Sequence, residues 1–79
     1  MNYVYLLQSQ IDSNRYYVGI SNDPTRRLDE HNGGKSIHTN KFRPWKIIVQ
    51  VGFADATKAS AFERYLKSGS GRAFAKKHF

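Results

Sequence analysis

Two runs rich in strand-forming residues sit close together at the start of the chain. They are "YVYLLQ", Tyr3 to Gln8, and "RYYVGIS", Arg15 to Ser21, joined only by the polar stretch "SQIDSN". So short a polar link points to a hairpin, so the chain is expected to open with two antiparallel strands. The next element is fixed by its punctuation. Asp23 reads as a helix N-cap and Pro24 as the first helical residue, which predicts a helix over "PTRRLDEHN" stopping at Gly33-Gly34. "KSIHTNKFRP" has no clear period and reads as a loop or a short helix. "WKIIVQVGF" is an almost unbroken apolar run, the pattern of a strand buried on both faces. Asp55 or Thr57 caps a further helix, "KASAFERYLKS". Its core stripe is Ala59, Phe62 and Leu66, and Gly69 ends it. "GRAFAKKHF" closes the chain as a short helix anchored by Phe74, with cations toward its C-terminus. The expected fold class is α+β: a small three-stranded, mostly antiparallel sheet flanked by helices in the order β-β-α-(α)-β-α-(α), one domain over residues 1–79.

Charge narrows the function. Residues 1–40 carry four basic groups (Arg15, Arg26, Arg27, Lys35) and four acidic ones (Asp12, Asp23, Asp29, Glu30), net zero; the remaining nine basic and two acidic groups put the whole +7 in residues 41–79. Such asymmetry points to a polyanion partner, most simply nucleic acid. There is no cysteine, which excludes a disulfide framework and any thiolate-held zinc or iron–sulfur site. That fits a reducing compartment, and a cytoplasmic location is expected. No apolar run approaches the roughly 20 residues that span a bilayer, and "MNYVYLLQSQ" lacks the features of a signal peptide. No membrane association is expected.

Three features stand out as candidates for chemistry. Side chains alternate faces along a strand, so Tyr17 and Gly19 share one face of the second strand. If the hairpin register places Tyr5 across from Tyr17, the two phenols stand together; the ordinary explanation is a cross-strand pair beside a bulge. Arg27 and His31 are i and i+4 on the first helix and share a face, with Asp23 or Glu30 available as partner for Arg27. Glu63 lies at the edge of the later helix's core stripe and is the one acidic residue between Lys58 and Phe79. Its ordinary role is an i,i+4 pair with Lys67; its functional role is to hold a hard divalent cation in a basic field. Trp45, next to Pro44 and a buried strand, reads as core.

The ordered set of "YVY" at 3–5, "YVG" at 17–19, "NDPTRRLDEH" and "FERYLKSGSGRAF" resembles the GIY-YIG nuclease superfamily, in its small single-domain branch, over almost the whole chain. The resemblance implies a metal-dependent endonuclease that hydrolyses DNA phosphodiester bonds, with branched or damaged structures as candidate substrates and DNA repair as a setting. It implies one divalent cation, Mg²⁺ or Mn²⁺, and no organic cofactor. By that resemblance Tyr5 and Tyr17 match the two motif tyrosines, Arg27 the helix arginine that binds phosphate oxygens, His31 the residue one turn later, and Glu63 the metal-holding glutamate. Tyr5 would orient or deprotonate the attacking water, with Tyr17 and His31 orienting partners or shuttling the proton. Lys41, Arg43, Lys46, Lys67, Arg72, Lys76 and Lys77 would track the DNA backbone. Two departures are visible. Tyr3 and Val4 stand where Gly and Ile would be, and Ala75 or Lys76 stands where many members carry an asparagine. The alternative is a non-catalytic nucleic-acid-binding module that keeps the nuclease fold.

Overall fold

The computed structural model describes all residues from Met1 to Phe79. Its elements follow the expected order: β1 (Asn2–Ser9), β2 (Tyr16–Ser21), α1 (Pro24–Asn32), α2 (Ile37–Asn40), β3 (Trp45–Phe53), α3 (Ala56–Lys67) and α4 (Gly69–His78). No helix is long and apolar enough to cross a membrane. The sheet is antiparallel throughout, in the order β2-β1-β3.

The central strand is therefore β1, not β3. Val4, Tyr5, Leu6 and Leu7 are all buried in succession, so β1 supplies both faces of the sheet. On one face Val4 packs with Ala59 and Leu66 of α3, joined by Val18, Ile20, Phe53, Phe62, Phe74 and Ala75. On the other, Tyr5, Leu7 and Trp45 pack with Tyr17, Leu28, Phe42 and Ile47. Each fully buried aliphatic side chain contributes about 1.5–3 kcal/mol.

β3 differs from its sequence reading. It is an edge strand in which Lys46, Gln50 and Gly52 are exposed and only Trp45 is fully buried. Its apolar run has another cause. Leu6 pairs with Val49 and Leu7 with Ile47, so Ile48 is an extra residue in the ladder. Such a bulge reverses which side chains face which way. Trp45 and Ile47 enter the Tyr5 core, whereas Phe53 enters the Val4 core. An apolar run that feeds two cores through a bulge looks the same in sequence as a strand buried on both faces.

Local capping explains the helices. Asp23 accepts from Arg26 N and Pro24 opens α1, which closes at Gly33. Asp55, rather than Thr57, caps α3 by accepting from the backbone of Thr57 and Lys58. Gly69 does not end α3. Ser68 does, and its hydroxyl also caps α4 by accepting from Gly71 N. The turn is so tight that a Cβ on Gly71 would overlap the Tyr65 carbonyl.

Deleting Ile48 tests the bulge. Without it Val49 still meets Leu6 and Ile47 still meets Leu7, now as adjacent rungs of a regular ladder, so Val49, Val51 and Phe53 keep their faces and the variant should retain a cooperative thermal transition by circular dichroism. Deleting Gln50 instead would carry Val51 and Phe53 to the wrong face and should abolish that transition, whereas Ile48→Val should retain it at a cost of about 1 kcal/mol. A Gln50 deletion melting within a few degrees of the parent, or an Ile48 deletion that does not fold, would contradict this register.

Candidate active site

The hairpin register places Tyr5 opposite Gly19 and Leu7 opposite Tyr17. The two tyrosines are thus diagonal neighbours, not a directly opposed pair, and β2 carries no bulge at Gly19. The glycine has a different purpose. A Cβ at Gly19 would overlap the Tyr5 phenol, including its hydroxyl. Only hydrogen in place of a side chain lets the Tyr5 ring lie across β2. The ring centroids of Tyr5 and Tyr17 are then 6.4 Å apart.

α1 completes the arrangement from the same side. His31 is fully buried, with its ring centroid 4.8 Å from that of Tyr17 and 6.3 Å from that of Tyr5. Its Nε2 lies 3.3 Å from Tyr5 Oη and its Nδ1 2.7 Å from Thr39 Oγ1. Arg27, one turn earlier, stands beside the Tyr5 phenol and pairs with Glu30. Asp23, the other candidate partner, pairs with Arg26 instead.

A neutral imidazole donates from one ring nitrogen and accepts at the other, so His31 links the Tyr5 hydroxyl and the Thr39 hydroxyl through its two nitrogens. The result is a continuous chain, Tyr5–His31–Thr39, with Arg27 beside its outer end, in which no buried polar side-chain atom lacks a partner.

The electrostatics agree with a neutral interior. Burial raises the Tyr5 pKa; the Arg27 guanidinium beside it opposes, and Tyr17 and Glu63 add to the rise. Burial lowers the His31 pKa, Arg27 lowers it further and Glu30 opposes. The Arg27 pKa is raised, chiefly by the neighbouring Tyr5 phenol. Tyr5 and His31 are therefore both uncharged near neutral pH.

Glu63 reaches the group from α3, on the other side of the sheet. Its carboxylate is close enough to act on the Tyr5 phenol. The ordinary pair is also present, with Lys67 Nζ 3.5 Å from Glu63 Oε2. No three His, Cys, Asp or Glu side chains gather anywhere in the molecule. The donor set at Glu63 is one carboxylate in a basic field. That suits a hard cation which keeps most of its water and takes phosphate oxygens, and does not suit a closed all-protein cage.

The seven cations named from the sequence are all exposed but do not form one track. Lys67, Arg72 and Lys76 line a single groove. Lys41 and Arg43 lie in the connection from α2 to β3, with Lys41 over the Phe42 ring and Arg43 donating to Asn32 O. Lys46 sits on the edge strand β3, and Lys77 lies in the last turn of α4. Ala75 packs against the Val4 core, and Lys76 faces the groove. Neither offers the amide of an asparagine. Trp45 is core, its Nε1 donating to Thr39 O.

Two positioning residues escaped the sequence reading. Thr39 holds the outer nitrogen of His31. Asn32 ties α1 to β3, donating to Trp45 O and accepting from Trp45 N. Thr39 lies in a segment without periodicity, and only the need of a buried histidine for a second partner could have pointed to it.

Comparison with known proteins bears on this arrangement. A family model described as the GIY-YIG catalytic domain matches residues 1–77. The chain is 42% identical over 66 residues to the structure-specific endonuclease subunit SLX1 of Chaetomium globosum, covering 76% of this chain and 20% of that protein. It is 41% identical over 66 residues to the same-named protein of Podospora anserina, covering 76% and 19%. It is 42% identical over 66 residues to that of Kluyveromyces lactis, covering 75% and 23%. The chain spans about a fifth of the length of the curated relatives it matches.

The neutral pair makes stability pH-dependent in a stated direction. The folded His31 pKa lies below the unfolded value of about 6.5, so the unfolded state binds more protons below that pH. Its contribution is complete above about 6.5 and is lost as pH falls from there toward the folded pKa. The folded Tyr5 pKa lies above about 10, so its contribution is lost as pH rises beyond that value. Urea midpoints across pH should therefore fall on both sides of a plateau, and His31→Gln should flatten the acid limb. An unchanged acid limb in that variant would count against the buried neutral imidazole.

Proposed function

This chain belongs to the GIY-YIG catalytic-domain family, and from that premise we propose that it is an endonuclease hydrolysing DNA phosphodiester bonds with the help of one divalent cation. The observation that carries the reading is convergence. Two phenols, a guanidinium and an imidazole from three elements meet around Gly19, and a carboxylate on a fourth adds to the rise of the Tyr5 pKa. The +7 charge concentrated in the second half supplies the attraction for a polyanion. The relatives' name, structure-specific endonuclease subunit, favours branched or flapped DNA as the substrate.

Hydrolysis needs a water aligned with the scissile phosphorus, an acceptor for its proton and stabilisation of charge on the phosphoryl oxygens. Arg27 serves the last need. Its side chain is about a third exposed, and its fork has donors to spare beyond Glu30. Tyr17 is half-buried where Tyr5 is fully buried, so it is the phenol that solvent reaches more readily. It would receive the attacking water, orient it and relay its proton, accepting it on the phenol oxygen as the phenol hydrogen passes to bulk solvent. Tyr5 is 1% exposed and its pKa is raised, so it stays protonated. It acts as a positioning residue that stands beside Arg27 and passes its orientation to His31. Glu63 would hold the divalent cation, which when bound supplies charge neutralisation at the phosphate and the leaving oxygen.

The test is nicking of branched, flapped and plain duplex DNA in Mg²⁺ or Mn²⁺. Arg27→Ala should lower the rate by about 10²-fold or more. Glu63→Gln should abolish nicking and leave DNA binding in place. Binding without cleavage by the parent protein under all these conditions would establish the non-catalytic module instead. Loss of binding in step with activity in Glu63→Gln would remove its metal role.

A further inference from the structure

A groove of about 860 Å³ lies between the start of β2 and α4, lined by fourteen residues of which none is acidic. Four are cations: Arg15, Lys67, Arg72 and Lys76. Arg15 is shared with Asp12 and Lys67 with Glu63, whereas Arg72 and Lys76 have no ion-pair partner. The walls are not simply basic. Tyr16 is 54% exposed and Phe79 44%, and both line the groove over an apolar floor that includes Leu6 and Val18. The groove lies on the α3–α4 face of the sheet, across β2 from the Tyr5–His31 cluster, and Lys67, which lines it, pairs with Glu63.

We propose that this groove binds an unpaired nucleic-acid strand that passes the Glu63–Lys67 pair, with Tyr16 stacking on a base and Arg72 and Lys76 holding phosphates. The proposal rests on the nuclease reading above and names the part of the substrate that enters. A duplex buries its base faces, so aromatic rings and an apolar floor would gain nothing from it. A single strand presents base faces and phosphates together, the combination that aromatic side chains interleaved with cations accept. Tyr16 is suited to stacking because its hydroxyl is held by Gln8 Nε2 at 3.2 Å, which fixes the ring while it stays exposed.

The experiment is fluorescence anisotropy in EDTA with the full chain, using an oligothymidylate of about 15 nucleotides and a blunt duplex of the same length. EDTA removes divalent metal, so the groove is read without turnover. The oligothymidylate should bind more tightly than the duplex. Arg72→Ala with Lys76→Ala should weaken it by about tenfold or more and reduce the slope of log K against log salt by about 1.4. Tyr16→Ala should weaken single-strand binding by about tenfold, with Tyr16→Trp restoring it. Ultraviolet crosslinking of a 5-iodouracil-substituted oligonucleotide should map to Tyr16 in the unmutated protein, which needs no folded variant. Equal affinity for duplex and single strand, an unaffected Tyr16→Ala variant, or competition by polyglutamate as effective as by oligothymidylate would overturn the proposal. Groove-dependent binding in EDTA with no nicking in Mg²⁺ would sink the nuclease reading alone.

Discussion

One strand must serve two cores. β1 buries four residues in succession, and because its side chains alternate, Val4 faces α3 while Tyr5 faces α1. That placement carries a phenol into the interior, where an unpaired hydroxyl costs about 1–3 kcal/mol. The molecule answers with Gly19 to make room and with His31 to satisfy the oxygen. His31 in turn requires Thr39, and Thr39 sits under Trp45. The hydrogen-bonded chain that orders the candidate site is therefore the same one that lets the sheet be buried at all.

Charge divides along a different line. The interior of the site is uncharged, held so by desolvation at Tyr5 and His31. The charges stand at its mouth: Arg27 with Glu30 on one side of the sheet, Glu63 with Lys67 on the other. A phosphodiester, the substrate proposed for this chain, would meet cations first and the neutral cluster behind them. Little solvent would then have to reorganise as negative charge grows, and preorganised sites derive their effect from that.

Much of this was legible in the sequence wherever the rule was local. The hairpin, the Asp23–Pro24 start of α1, the Ala59–Phe62–Leu66 stripe and the shared face of Arg27 and His31 all depend on residues within a few positions of one another. The failures were non-local. The pairing of Tyr5 with Gly19 depends on cross-strand register, which a two-residue slip changes without altering the pattern. The misplacement of β3 as a doubly buried strand came from an apolar run that a bulge explains equally well. Ser68 rather than Gly69 ends α3 because one hydroxyl serves two helices, a role that glycine statistics do not describe. Local pattern singled out the candidate residues Tyr5, Tyr17, Arg27, His31 and Glu63 in three separate places, and it was the family resemblance that gathered them into one site and gave each a role.

Ser68 closes α3 and opens α4 in a single residue, and Gly71 seats against the Tyr65 carbonyl with no clearance. Two helices joined without slack behave as one bent rod. The wall carrying Arg72 and Lys76 is thereby tied to α3. For the strand proposed to lie against it, the opening would be a gauge of fixed bore rather than a jaw, selecting by width on arrival instead of by closure afterwards.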